Sequence, residues 1–266
     1  MQRSPMLPKT VYHYTNSFEF LEGLFYKPIQ LFATHKDFLN DPSELSGTTR
    51  RLQRELKELG KNILDDKALK SQLKEIDHLN IFVKSFSCAR NSLPMWTTYA
   101  KYDGFAVGFN TRNLINAIVS ICEKECALGE FSVLRYKNHS SVSLSFGVCQ
   151  YKRFQSNDSP WDALLEAFYK HKAYCYEQEF RIALLNPDAY AKEFCKEVDR
   201  YRFIGGKPRV PIHLAQDIDI NKLIDEIIIS PVGDRKLTKL KVDFLCKQNN
   251  FDLQKIKVSK IPYQEI

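Results

Sequence analysis

Tyr174-Cys175-Tyr176-Glu177-Gln178-Glu179-Phe180-Arg181-Ile182 alternates charged and apolar side chains over its second half. Glu177, Glu179 and Arg181 share one face and Phe180 and Ile182 take the other, a pattern that predicts a half-buried strand. Such a face has two readings. It is a solvated edge, as charged strand faces usually are, or a catalytic rim carrying two carboxylates and a guanidinium.

Related blocks recur on both sides of it. Strands are predicted at 11–14 (VYHY), 29–33 (IQLFA), 81–87 (IFVKSFS), 104–109 (GFAVGF), 130–136 (EFSVLRY), 209–214 (RVPIHL), 225–231 (DEIIISP) and 253–258 (LQKIKV). Helices are predicted at 18–25, capped by Asn16 or Ser17, and at 94–100, with Pro94 in its first turn. Others are expected at 111–125, at 158–174 with Pro160 at the first helical position, at 218–223 and at 234–248. The segment 43–77, rich in Lys, Glu, Leu and Arg, reads as an exposed helical hairpin, and the polar stretch 137–158 as irregular loop. No linker rich in Pro, Gly or Ser divides the chain. The expectation is one α+β domain over residues 1–266 with a helical insertion at about 43–77.

Hydrophobic residues make up 44% and charged residues 27% of the 266, an ordinary globular balance. No apolar run is long enough to span a bilayer, and the N-terminal MQRSPMLPKTVYHYT lacks an apolar core, so no membrane partner and no signal peptide are expected. The seven cysteines are scattered; Cys122 and Cys126, the close pair, are expected one helical turn apart. With no CxxC they read as reduced thiols of a cytoplasmic protein. The net charge of +7 suits an anionic ligand or nucleic acid, although the Lys and Arg residues are spread as on a solvated surface.

Several familiar sites are missing. The chain has no GxxxxGK[ST], no GxGxxG after a strand, no HExxH and no GxSxG, and its six histidines are isolated. Three other features carry a choice of readings. His13 faces away from Tyr12 and Tyr14 on its strand, as a structural histidine or as an imidazole that bonds a ribose or phosphate oxygen. Asp41-Pro42-Ser43-Glu44 reads as a capping box or as part of an acidic site. Trp96 and Tyr99, one turn apart, pack against the core or stack on a planar ligand ring.

YHYT at 12–15, FLNDPSE at 38–44, SFS at 85–87, PMWTTYAKYDGFAVGF at 94–109, YEQEFRI at 176–182 and DEIIISP at 225–231 occur in this order. In them the chain resembles a widespread bacterial domain family of unknown function, most specifically in W-x-x-Y-A…G-F-x-x-G-F and Y-E-x-E-x-R. The same order also resembles the ADP-ribosyltransferase superfamily. His13 and Thr15 are similar to a first element that reads His-Gly-Thr in one branch, with Tyr14 in place of the Gly. Ser85-Phe86-Ser87 is similar to a Ser-Thr-Ser middle element, and Glu177-Gln178-Glu179 to Glu-x-Glu.

That resemblance implies a mixed, split β-sheet core of ADP-ribosyltransferase-like type with peripheral helices. It implies NAD as substrate and a macromolecular acceptor, protein or nucleic acid, as for a toxin, effector or phage-defence component. His13 and Thr15 would hold the NAD ribose, with Ser85 and Ser87 bracing it and Trp96 or Tyr99 against a ring. Glu179 would be the catalytic carboxylate and Glu177 would steer the acceptor. Arg181 would hold Glu179 ionised or bind a pyrophosphate. Two rivals remain. One is a non-catalytic nucleotide-binding or interaction module. The other is a nuclease or phosphotransferase with Asp41, Glu177 and Glu179 as metal ligands.

Overall fold

The computed structural model describes residues 7–41, 81–101, 103–120, 122–128, 131–136, 143–152, 162–185 and 202–263. The helical insertion expected at about 43–77, and Pro42 and Glu44 of the expected capping box, lie outside them.

The period-two blocks form strands of one sheet: β1 (Thr10–Thr15), β2 (Gln30–His35), β3 (Ile81–Ser87), β4 (Phe105–Asn110), β5 (Cys122–Leu128), β6 (Phe131–Tyr136), β7 (Ser143–Val148), β8 (Glu179–Leu185), β9 (Arg202–Ile204), β10 (Lys207–His213), β11 (Ile224–Ile229) and β12 (Ile256–Val258). The main order is β12-β11-β4-β1-β3-β8-β7-β6-β5. Among the described strands β11 pairs with β12 in parallel and the other pairings are antiparallel, so the sheet is mixed and open. The α-helices among the described residues are α1 (Phe18–Gly23), α2 (Leu93–Met95), α3 (Thr111–Val119), α4 (Asp162–Glu166), α5 (Ile220–Leu223) and α6 (Arg235–Gln248), most of them short. Ser17 caps α1 by accepting from the Phe20 amide, and Asp234 caps α6 by accepting from Lys236 and Leu237. Among the described residues no helix is long and apolar enough to cross a membrane.

The sheet forks at β3. One edge of β3 is paired along its whole length with β8, from Ile81↔Leu185 to Ser87↔Glu179. On the other edge β2 pairs at Phe82 and Val83, while β1 joins at Ser87 opposite Tyr12. From there β1 leads to β4, β11 and β12, and β2 leads to β10 and β9. The β3 edge at 84–86 therefore faces a gap between two diverging arms.

The main core fills one face with Phe86, Phe105, Phe109, Phe180, Ile182, Ile227 and their neighbours. A second cluster around Trp96, Tyr12, Tyr14 and Ile228 covers the other. Two glycines of the G-F-x-x-G-F block have steric reasons. A Cβ at Gly104 would lie 2.1 Å from the Ala100 carbonyl oxygen, and one at Gly108 would lie 2.8 Å from the Tyr12 ring.

Four local expectations change. The helix from 111 ends at Val119, and Cys122 to Leu128 is a strand, so Cys122 and Cys126 are not one helical turn apart. The ladder with β6, Cys122↔Tyr136 to Leu128↔Phe131, supplies the hydrogen bonds that a longer helix would have made internally. The polar stretch 137–158 contains β7, whose Ser143 and Ser145 are buried in pairing with β8. Serine composition signals loop, but an inner ladder position overrides it. The helix expected at 158–174 ends at Glu166 within the described residues, and Tyr169 bridges to Gln150. Residues Lys172–Glu177 then form a 3₁₀ helix, and Gln178 adopts φ 44°, ψ 54° before β8 begins at Glu179. Glu177 thus precedes the strand that carries Glu179 and Arg181.

Candidate functional site

Strands β1, β3 and β8 place His13, Ser85 and Glu179 on three neighbouring strands around the fork. They line one cavity of about 260 Å³, together with Ser87, Tyr99, Glu177, Arg181, Lys84, Lys170, Lys207 and Arg209. The solvated-edge reading of the Glu-x-Glu-x-Arg face is overturned. Glu177 is 1%, Glu179 6% and Arg181 1% exposed, because β8 is an inner strand covered on both faces.

Those charges survive burial because they are paired. Lys170 Nζ donates to Glu177 Oε2 at 2.5 Å and to Glu179 Oε2 at 3.3 Å, so one ammonium joins the two carboxylates. Arg181 donates to Glu179 Oε2 from Nε at 3.0 Å and from Nη2 at 2.5 Å, while its Nη1 donates to the Ala167 carbonyl at 2.7 Å. Burial alone would raise the Glu179 pKa. Arg181, Lys170 and the Ser85 hydroxyl outweigh it and hold the carboxyl below its ordinary value. Glu179 is an ionised carboxylate fixed in place. The Arg181 fork serves Glu179 and Ala167, which favours the first of its expected roles, holding Glu179 ionised, over binding a pyrophosphate.

The chain segments around this cluster are tied to it by further hydrogen bonds. The Tyr151 hydroxyl accepts from the Glu179 amide at 2.6 Å, and the Lys170 amide donates to the Gln150 carbonyl at 3.1 Å. Ser87 donates to the Glu177 carbonyl at 2.6 Å and accepts from the Ala89 amide at 3.1 Å. Ser87 therefore braces Glu177 rather than presenting a free hydroxyl to a ligand. Ser85 remains at the open edge of β3.

Trp96 and Tyr99 part company. Residues Trp96–Ala100 form a π turn, whose i→i+5 spacing rotates positions three apart away from the shared face of an α-helix. Trp96 is fully buried, edge-on to Tyr14 at 4.6 Å between centroids, and its Nε1 donates to Asn91 Oδ1 at 2.8 Å. Stacking of Trp96 on a ligand is corrected to core packing. Tyr99 reaches the cavity, donates to Glu177 Oε1 at 2.5 Å and accepts from Asn40 Nδ2 at 2.9 Å.

His13 points into the fork as alternation required, with Phe20 at 4.5 Å between centroids. Burial, Lys84 and Arg209 push its pKa well below the ordinary histidine value, so the ring is neutral. It hydrogen-bonds the Ser85 backbone at the unpaired edge of β3. Lys84 Nζ lies 3.3 Å from its Nδ1 and 3.2 Å from its Nε2. Tyr14 turns to the opposite face, where its hydroxyl donates to the Ala89 carbonyl. Thr15 does not line the cavity; its Oγ1 accepts from the Ser17 amide at 3.0 Å. Asp41 is buried but also lies off the cavity wall, so it does not join Glu177 and Glu179. Among the described residues no three His, Cys, Asp or Glu side chains group as a metal site.

Sequence reading missed Lys84, Lys170, Lys207, Arg209 and Tyr151. Lys84 left a signal, a lone charge inside the apolar block IFVKSFS. Lys170, Lys207 and Arg209 reach the cavity, and Tyr151 the Glu179 amide, only through the fold.

The fold and site define an α+β protein with a forked, mostly antiparallel sheet and a buried ion cluster facing a cavity at the fork. Residues 95–182 match the model of a family described as a protein of unknown function (DUF2971). Over that span, which holds both the W-x-x-Y-A…G-F-x-x-G-F and Y-E-x-E-x-R blocks, the resemblance to a family of unknown function is borne out. No curated protein and no solved structure matches the chain.

Proposed function

We propose that this protein is an ADP-ribosyltransferase-like enzyme that takes NAD as substrate and modifies a macromolecule. One observation carries the reading: His13, Ser85 and Glu179, far apart in sequence, line one cavity from three adjacent strands. In the proposed reaction the bond between nicotinamide and ribose C1′ breaks and its electron pair leaves with nicotinamide. The acceptor forms the new bond to C1′ and gives up a proton. Positive charge builds on the ribose, and a fixed carboxylate stabilises it selectively in the transition state. Glu179 suits that task because Arg181 and Lys170 hold it ionised and oriented. Glu177, joined to Tyr99 and Lys170, takes the acceptor-orienting role in this reading.

The metal-nuclease rival has less support. Asp41 is off the cavity wall, and the Lys170 ammonium already bridges Glu177 and Glu179. A non-catalytic nucleotide-binding module would use the same cavity, so turnover separates it from an enzyme. The test is NAD consumption and label transfer to a cell extract by the full chain, with melting curves alongside. Millimolar NAD is expected to raise the melting temperature, and Glu179→Asp to remain folded with turnover down ~100-fold. No thermal response to NAD, or undiminished turnover in Glu179→Asp, sinks the reading.

A further inference from the structure

The cavity has two electrically different ends. At the β8 end each cation has a carboxylate. At the other end stand Lys84 of β3 and Lys207 and Arg209 of β10, with the neutral His13. None of these three cations pairs with a described carboxylate: Lys84 meets the His13 ring and Lys207 donates to the Phe38 carbonyl at 2.9 Å. The Arg209 Nε is buried without a hydrogen-bond partner. Lys84 is only 7% exposed.

Two buried or half-buried cations that repel one another are an expensive arrangement for packing alone. An aliphatic residue at 84 would fill the same space in an otherwise apolar strand. We propose that Lys84, Arg209 and Lys207 form a site for the phosphate or diphosphate group of a small anionic ligand. Arg209 offers a planar fork that matches two phosphate oxygens, and Lys84 acts as a point charge beside it. The neutral His13 ring, bonded to the Ser85 backbone, stands beside Lys84 without adding a charge of its own. The three cations line a cavity of about 260 Å³, a size that suits a small ligand rather than a length of polymer backbone. The inference concerns anion binding and stands apart from the transfer chemistry proposed above.

The two are separable by choice of probe. Calorimetry and melting curves on the full chain use pyrophosphate, ADP and adenosine in phosphate-free buffer, with sodium chloride matching ionic strength. Pyrophosphate and ADP are expected to bind and stabilise the protein, while adenosine gives much the weaker response. Arg209→Gln and Lys84→Met are each expected to weaken ADP binding at least about tenfold, the scale of one charge-assisted hydrogen bond. Arg209→Lys keeps the charge but loses the fork and is expected to recover only part of the affinity. Lys207→Gln, at the half-buried rim, keeps the test open if either of the first two variants fails to fold. Equal binding of adenosine and ADP, or unchanged ADP affinity in folded Arg209→Gln, Lys84→Met or Lys207→Gln, overturns the site. ADP binding without NAD turnover supports this site and counts against the enzyme. NAD turnover with an unchanged KM in Arg209→Gln does the reverse.

Discussion

Lys84 is the side chain whose behaviour most depends on where the fold has put it. Burial, with Arg209 beside it, brings its pKa down to about 7. The unfolded chain holds the same amine near its ordinary value, about 10.4. Between those two values the unfolded state binds the extra proton, so this residue makes stability rise with pH across that window. Below about 7 the folded state carries the full cost of a buried ammonium. Lys84→Met is therefore expected to raise the melting temperature most at pH 6, with the gain shrinking toward pH 10. Thermal melts at both pH values check it, and a gain independent of pH would show that Lys84 is not the titrating group. Glu179 has the opposite linkage. Its folded pKa is depressed, so its pairing contributes stability above the ordinary Glu value, and that contribution is lost as pH falls through the folded value. Removing it leaves Arg181 and Lys170 short of a partner. Glu179→Gln is expected to destabilise by about 3–5 kcal/mol, the scale for breaking a buried pair. A solvated strand face would have predicted a change within about 0.5 kcal/mol. Equilibrium unfolding of the variant decides between these.

At the scale of elements, the turn from α2 to β4 shows how short segments serve the cavity. The π turn buries Trp96 and sends Tyr99 to Glu177. It closes against Gly104, where a Cβ would lie 2.1 Å from the Ala100 carbonyl oxygen. Gly104→Ala is expected to cost more than about 2 kcal/mol, as overpacking against backbone does. It should also loosen the hydrogen bond from Tyr99 to Glu177. Thermal melts of Gly104→Ala beside Tyr99→Phe test this, and a neutral Gly104→Ala would mean the turn relaxes freely. The strands themselves were largely legible. VYHY, IFVKSFS, GFAVGF and DEIIISP carry enough β-branched and aromatic residues in period two to identify β1, β3, β4 and β11 within about two residues. β7 was not legible, because Ser143-Leu144-Ser145 reads as loop until its ladder to β8 is known.

At the scale of the molecule the fork governs access. The arm β2-β10-β9 meets the rest of the sheet through β3 at Phe82 and Val83, and it carries Lys207 and Arg209. A ligand held between Arg209 on this arm and Lys84 on β3 would tie the arm to the main sheet. Binding to the folded state is expected to slow amide exchange in β2 and β10 more than in β11 and β12. Exchange measured with and without ADP checks this, and uniform protection across the sheet would show that the arm does not move as a unit.

The residues alone determined the α+β class, most strands and the three short elements that include His13, Ser85 and Glu179. All follow from local periodicity and residue type, which act over a few neighbours. The tertiary structure decided three further things: that Glu177, Glu179 and Arg181 are buried, that Lys170 joins the two carboxylates, and that Lys84 and Arg209 share a cavity. An alternating strand reads the same whether its polar face meets water or a second layer of protein. The partner that decides between them lies elsewhere in the chain, as with Glu179 beside Ser87 in the ladder and Lys84 across the fork from Arg209.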